Sequence, residues 1–201
     1  NPPPGNGRLR YIRADLLDRR SAIESLRECG TVTHVFFTAR AKHGETGSES
    51  VADNTAMLRN TLDGIEPVAA GLAHVHLVQG GKYYGAHLGP FPTPAREDDA
   101  RHMPPNFYYD QQDLLAERQR GRDWAWSVSR PDFVWDLAPE RARNMVSVIA
   151  TYAAITAELD LPFDFPGTQA CFDAIKQATD ATHLARAMIF IASTPACANQ
   201  A

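Results

Sequence analysis

Two tyrosines at the start of a helix and a lysine at the end of a strand are the residues best suited to chemistry. Tyr108 and Tyr109 stand in Met103-Pro104-Pro105-Asn106-Phe107-Tyr108-Tyr109-Asp110-Gln111-Gln112-Asp113. Two prolines close a loop, Asn106 can cap, and Asp110 and Asp113 fall where a helix dipole favours negative charge. Lys82 lies upstream in Gln79-Gly80-Gly81-Lys82-Tyr83-Tyr84. A phenol and an ammonium brought together make a proton-donating site. An aromatic pair at a helix start is by composition alone more often core packing, and a lone lysine more often a solvated one. The chemistry therefore depends on what the rest of the chain does with these residues.

The elements that must position them alternate. Residues 8–13 read as a strand by period-two alternation. Residues 19–29 read as a helix stopped by Gly30, and residues 32–38 as a buried β-branched and aromatic strand. A polar loop, 39–50, leads to a helix over 51–70 that Pro67 kinks or ends. His74–Val78 is another short strand. A loop over 79–105 with five prolines follows, a length that usually marks function. Then come the tyrosine helix, 106–121, a strand at 124–130 stopped by Pro131, a long helix at 139–159, a short strand at 163–165 and a last amphipathic helix at 180–193.

Strands alternating with helices of this length imply an α/β fold, a doubly wound parallel sheet with ligands at the carboxyl ends of its strands. Asp15, Thr38 with Ala39, the turn from Gln79 to Lys82, and Pro131 to Val134 fall at four such ends. Asp15 taken alone is better read as a helix-entry residue. We expect a Rossmann-like nucleotide-binding region over residues 1–135 and a partial substrate-binding region, interleaved with the sheet, over 136–201.

At 201 residues, 44% hydrophobic and 22% charged, the chain has the composition of one ordinary globular domain. Its net charge of −4 gives no basic face for nucleic acid, and no apolar run approaches the ~20 residues of a bilayer span. Residues 1–7 are rich in Pro and Gly and carry no apolar signal region. Cys29, Cys171 and Cys197 match neither a disulfide framework nor a zinc spacing, so a reducing cytoplasm is expected. The histidines, among them His74 and His76 on one strand face, form no metal motif. No G-x-G-x-x-G turn occurs. Either the first strand–Gly-rich turn–helix is absent from this chain, or a pyrophosphate is not held in the usual way.

The chain resembles the extended short-chain dehydrogenase/reductases, specifically the progesterone 5β-reductase and iridoid synthase-like group. The resemblance rests on Tyr11-Ile12-Arg13-Ala14-Asp15, Val32-Thr33-His34-Val35-Phe36, Asn54-Thr55-Ala56-Met57-Leu58-Arg59-Asn60 and Gly80-Gly81-Lys82-Tyr83-Tyr84 with Gly89-Pro90-Phe91. It continues through Asn106-Phe107-Tyr108-Tyr109-Asp110, Trp126-Ser127-Val128-Ser129-Arg130-Pro131 and Tyr152-Ala153-Ala154-Ile155, in family order over nearly the whole chain. It implies NADPH-dependent reduction of the activated C=C bond of an enone or enal. Tyr109 would be the catalytic phenol, with Lys82 beside it strengthening the phenol as a donor and also reaching the cofactor ribose. Asp15 and Leu16 would lie near adenine, and Thr38, Ala39 and Gln79 along the cofactor. Pro131, Phe133 and Val134 would lie near the nicotinamide, and Phe91 and Tyr83 against the substrate. Phe91 is equally well read as loop packing. More familiar short-chain enzymes carry the lysine four residues after the tyrosine. Here those positions are Asp113 and, after Tyr108, Gln112, which argues against an ordinary sugar-nucleotide epimerase. A related epimerase, dehydratase or carbonyl reductase, and a non-catalytic nucleotide-binding relative, stay open as competing readings. The expected partner is a small molecule, with neither nucleic acid nor membrane; a homodimer is compatible with all of this.

Overall fold

The computed structural model of the protein describes residues 9–44, 48–136 and 144–201. Helix α1 (Arg19–Leu26) leads into a sheet of three strands, β1 (His34–Phe37), β2 (His74–Val78) and β3 (Ala125–Ser129), paired in that order and all parallel. Parallel neighbours cannot be joined by a hairpin. The crossovers are α2 (Val51–Ile65), between β1 and β2, and α3 (Phe107–Gln119), between β2 and β3. Phe37 pairs with Leu77 and Leu77 with Val128, so the three carboxyl ends open at one edge, followed by Thr38, Gln79 and Arg130. This is the Rossmann-like arrangement that the alternation predicts.

The pleat divides the residues of β2 between two environments. Val75 and Leu77 enter a core with Leu58, Leu62 and Ile65 of α2, Leu115 of α3, and Trp126 and Val128 of β3. His74 and His76 are buried on the other face, where α6 (Ala181–Ser193) packs on β2 and β3. Close approach of α1 and α2 explains a glycine inside a helix: a Cβ on Gly64 would stand 3.0 Å from Leu26 Cβ and 3.3 Å from the Ala22 carbonyl. Arg118 ties α3 to α2, donating to Asp63 at 2.6 Å and to Glu66 at 3.1 Å.

Several expected elements change. Arg8 lies outside the described residues, and residues 9–13, expected with it as a strand, form no ladder. No described strand lies beside them, and Leu9, Tyr11 and Ile12 are exposed. Alternation makes a strand only where a neighbour satisfies the backbone, so Asp15 does not follow a strand. Residues 163–165 are not a strand either. Phe163 and Phe165 are exposed and pack laterally on Tyr152 and Phe172, with ring centroids 5.3 and 5.4 Å apart. A second sheet was not anticipated: β4 (Phe133–Trp135) pairs in parallel with β5 (Ala178–Asp180). Phe133 and Val134, expected in a turn, therefore belong to a strand. Helix α4 (Met145–Glu158) accounts for the described part of the helix expected over 139–159, whose first residues, 139–143, lie outside the described ones. A short α5 (Gln169–Phe172) precedes β5. Among the described residues no helix is long and apolar enough to cross a membrane.

Candidate active site

The long loop after β2 opens with a 3-10 turn, Gly81–Tyr84, and this turn is fastened to the start of α3. Asn106 makes the join. Its Oδ1 caps α3 by accepting from Tyr108 N at 3.1 Å, and its Nδ2 donates to the Lys82 carbonyl at 2.9 Å. The Tyr109 hydroxyl donates to the Tyr83 carbonyl at 2.7 Å and accepts from His102 N at 3.1 Å. His102 Nε2 lies 3.0 Å from the same Lys82 carbonyl. The lysine turn and the tyrosine helix, with Tyr84 and Tyr109 25 positions apart in sequence, thus share one place in the fold.

The side chains of the pair take different partners. Lys82 Nζ lies 3.1 Å from Glu49 Oε2. The other Glu49 oxygen pairs with Arg40 and has His43 Nε2 at 3.7 Å. The cation at Tyr109 is Arg101, 4.9 Å from the ring centroid and held by two bonds to Asp113 of 2.8 and 2.7 Å. Burial pushes the Tyr109 phenol above the ordinary tyrosine value, and the His102 amide and the Arg101 charge pull the other way. The phenol therefore stays a protonated donor throughout the neutral range. Tyr108 is buried as well, and burial raises its phenol against the opposing charge of Arg40. Its hydroxyl lies close to Gly80, where a Cβ would stand 3.2 Å from it and 3.2 Å from the Pro131 carbonyl.

Of the other predicted site residues, Thr38, Ala39, Gln79 and Pro131 follow β1, β2 and β3 at the carboxyl edge. Gln79 is fixed there by donating to the Tyr108 carbonyl at 2.6 Å. Asp15 accepts from Leu17 N at 3.0 Å, and the Leu16 carbonyl accepts from Asn60, inside α2, at 2.8 Å. Phe133 and Val134 are exposed on β4. Phe91 lines a cleft of about 1010 Å³ together with Gly81, Tyr84, Pro90, Arg130 and Asp132. Of the adjacent tyrosines, Tyr84 is on that cleft. Tyr83 lies beneath it, buried, its ring edge-on to those of Tyr84 and Tyr109 at 5.3 and 4.9 Å.

Sequence reading missed Glu49, Arg101 and Arg130. Glu49 stands in a polar loop and nothing local marks it. Arg101 is one charge in an acidic stretch. Arg130 did leave a signal, a charged residue closing a buried strand immediately before proline.

A family model described as a PRISE-like Rossmann-fold domain matches residues 15–198. Among relatives, a protein named short chain dehydrogenase gsfE, from Penicillium aethiopicum, is 36% identical over 199 residues, covering 96% of this chain and 52% of the relative. A 3-oxo-Delta(4,5)-steroid 5-beta-reductase of Arabidopsis thaliana is 34% identical over 95% of this chain and 50% of the relative. An (S)-8-oxocitronellyl enol synthase, CYC2, of Camptotheca acuminata is 34% identical over 96% and 51%. The chain spans about half the length of the curated relatives it matches. Among solved structures, UDP-glucose 4-epimerase of Thermus thermophilus in complex with NAD superposes with a TM-score of 0.66 at 17% identity, over 94% of this chain and 62% of that one. RMD from Pseudomonas aeruginosa complexed with NADPH gives 0.52 at 21%, over 73% and 49%. These two likenesses speak to the fold. With the family model spanning nearly the whole chain and several relatives above 30% identity along it, the chain belongs to the PRISE-like Rossmann-fold family.

Proposed function

We propose that this chain carries the phenol–lysine site of an NADPH-dependent reductase acting on the activated C=C bond of an enone or enal. The observation that supports this over ordinary short-chain chemistry is the position of the lysine. Asp113, one helical turn after Tyr109, is committed to Arg101, and the lysine arrives instead from the turn that Tyr109 grips through the Tyr83 carbonyl. Relatives named as a steroid 5-beta-reductase and an enol synthase support the same reaction class.

The carboxyl edge of the sheet fits a dinucleotide. Three parallel strands end together there, and the Gly80 backbone lies between the Tyr108 hydroxyl and the Pro131 carbonyl, where a Cβ would be tightly packed at 3.2 Å from each. Thr38, Ala39, Gln79 and Pro131 would hold NADPH along that edge, with Asp15 and Leu16 toward adenine and Phe133 and Val134 toward the nicotinamide. When bound, NADPH supplies the hydride that saturates the β-carbon. The protein supplies the response at the other end of the conjugated system, where negative charge gathers on the carbonyl oxygen. The Tyr109 O–H re-aims by rotation about its C–O bond, leaving the Tyr83 carbonyl for that oxygen. A donor at an oxygen that becomes more negative stabilises the transition state more than the ground state. Lys82, fixed by Glu49, keeps a positive charge on the same turn, and Phe91 walls the cleft.

The test is NADPH consumption by the chain with a simple cyclic or linear enone. Enone-dependent loss of NADPH absorbance supports the reading; turnover of sugar nucleotides or plain ketones without turnover of enones overturns it. Within this reading Glu49 is a positioning residue. Glu49→Gln removes the charge that Lys82 and Arg40 share, leaving two cations to repel, and kcat/KM should fall about tenfold with kcat affected more than KM. Steady-state kinetics indistinguishable from the parent would remove Glu49 from the mechanism.

A further inference from the structure

Tyr109 has its proton on a backbone carbonyl; Tyr84, one ring away across Tyr83, does not. The Tyr84 hydroxyl accepts from Arg130 Nη1 at 3.0 Å, and no acceptor among the described residues takes its own proton. Arg130 is held on every side by neutral groups. Its Nε donates to Gln79 Oε1 at 3.3 Å and its Nη2 to Gln112 Oε1 at 3.0 Å, and the guanidinium lies 3.5 Å from the Tyr83 ring centroid. A planar cation pinned in this way has little freedom, so it fixes the phenol oxygen it touches. With one lone pair filled by Arg130, the Tyr84 O–H must point elsewhere, and Tyr84 and Arg130 both line the 1010 Å³ cleft. Donation from a cation also polarises the hydroxyl toward its next acceptor. The Tyr84 ring lies parallel to that of Phe91, with centroids 6.0 Å apart and planes 12° apart, which gives the cleft a flat apolar wall beside the Tyr84 hydroxyl, with Arg130, Asp132, Glu97 and Lys176 also on its lining. Small-molecule sites have this character and this order of volume.

We propose that Tyr84 is a second substrate donor. It hydrogen-bonds the carbonyl oxygen of a flat, apolar enone seated against Phe91, and Arg130 acts as the residue that positions it. The identity of the acceptor rests on the reductase reading above. The role of Tyr84 is tested without cofactor. Testosterone, whose single carbonyl belongs to its enone, is the probe. Its affinity is measured by equilibrium dialysis and its carbonyl stretch by infrared difference spectroscopy, with the parent chain, Tyr84→Phe and Arg130→Met.

Tyr84→Phe keeps the ring against Phe91 and removes only the hydroxyl. It should weaken binding about tenfold and return the carbonyl stretch to higher frequency. Arg130→Met should move the stretch part of the way, since the phenol remains but is no longer aimed. A stretch and affinity unchanged in Tyr84→Phe overturn the proposal, as does failure of the parent chain to bind testosterone. The two readings fail separately. Enone-dependent NADPH consumption with a stretch indifferent to Tyr84 overturns only the second donor. A Tyr84-dependent stretch without NADPH consumption overturns only the reductase.

Discussion

Tyr109→Phe is expected to lower kcat/KM for enone reduction by roughly 10²- to 10³-fold, the usual effect of deleting one donor to a developing oxyanion. The fall should appear mainly in kcat, because the bond matters most when charge has reached the oxygen. The substitution also has a structural cost. The Tyr83 carbonyl and the His102 amide both lose their partner, and buried backbone groups left unpaired cost about 1–3 kcal/mol. Thermal unfolding measured on the same preparation separates the two effects, and Tyr108→Phe is the control. Tyr108 is its buried neighbour with a hydroxyl against Gly80, so its loss should leave kcat within a few fold of the parent. A Tyr109→Phe protein that is folded and fully active would end the assignment of the phenol. Because burial holds the Tyr109 phenol above the ordinary tyrosine range, the alkaline limb of activity should not set in near neutrality on its account.

What could be read ahead of the coordinates follows from where each residue finds its partners. The Asn106 cap and the α3 start depend on neighbours within a few residues, and both appear as expected. Residues 9–13 alternate as a strand should, yet a strand is a relation between two segments, and the second is not written in the first. β4 and β5 were invisible for the same reason, since three residues are too few to show a period and the pairing partner lies more than forty residues away. The site divides along the same line. The Lys82 turn and Tyr109 were visible as types in a motif, whereas Glu49 under Lys82, Arg101 over Tyr109 and Arg130 against Tyr84 are long-range choices made by packing.

The largest effect on stability should come from acid, through two histidines unconnected with the chemistry. His74 and His76 are almost fully buried and joined through one serine: His74 Nε2 lies 2.7 Å and His76 Nδ1 2.8 Å from Ser127 Oγ, and His76 Nε2 is 3.0 Å from Ser129 Oγ. The Ser127 hydroxyl can donate to one ring and accept from the other as long as one of the two rings is neutral. If both rings are charged, it faces two donors and its own proton has no acceptor. Burial lowers both histidines to about 4, with the charge of His34 acting on His74 and that of His74 on His76. A folded-state value below the unfolded one, 6.5, means that the unfolded chain takes up protons first as pH falls. The stability tied to the neutral rings is therefore complete above about pH 6.5, drains away below it, and is gone below about pH 4. At pH 5 the loss is on the order of 2 kcal/mol for each histidine, against a total for a domain of about 5–15 kcal/mol. Urea unfolding at pH 7.5 and pH 5.0 should show a midpoint that falls steeply for the parent chain. In a His74→Asn, His76→Gln variant the amides can still bond the serines but cannot titrate, so the fall should be much shallower. Equal acid sensitivity in the two proteins would place the titrating groups elsewhere.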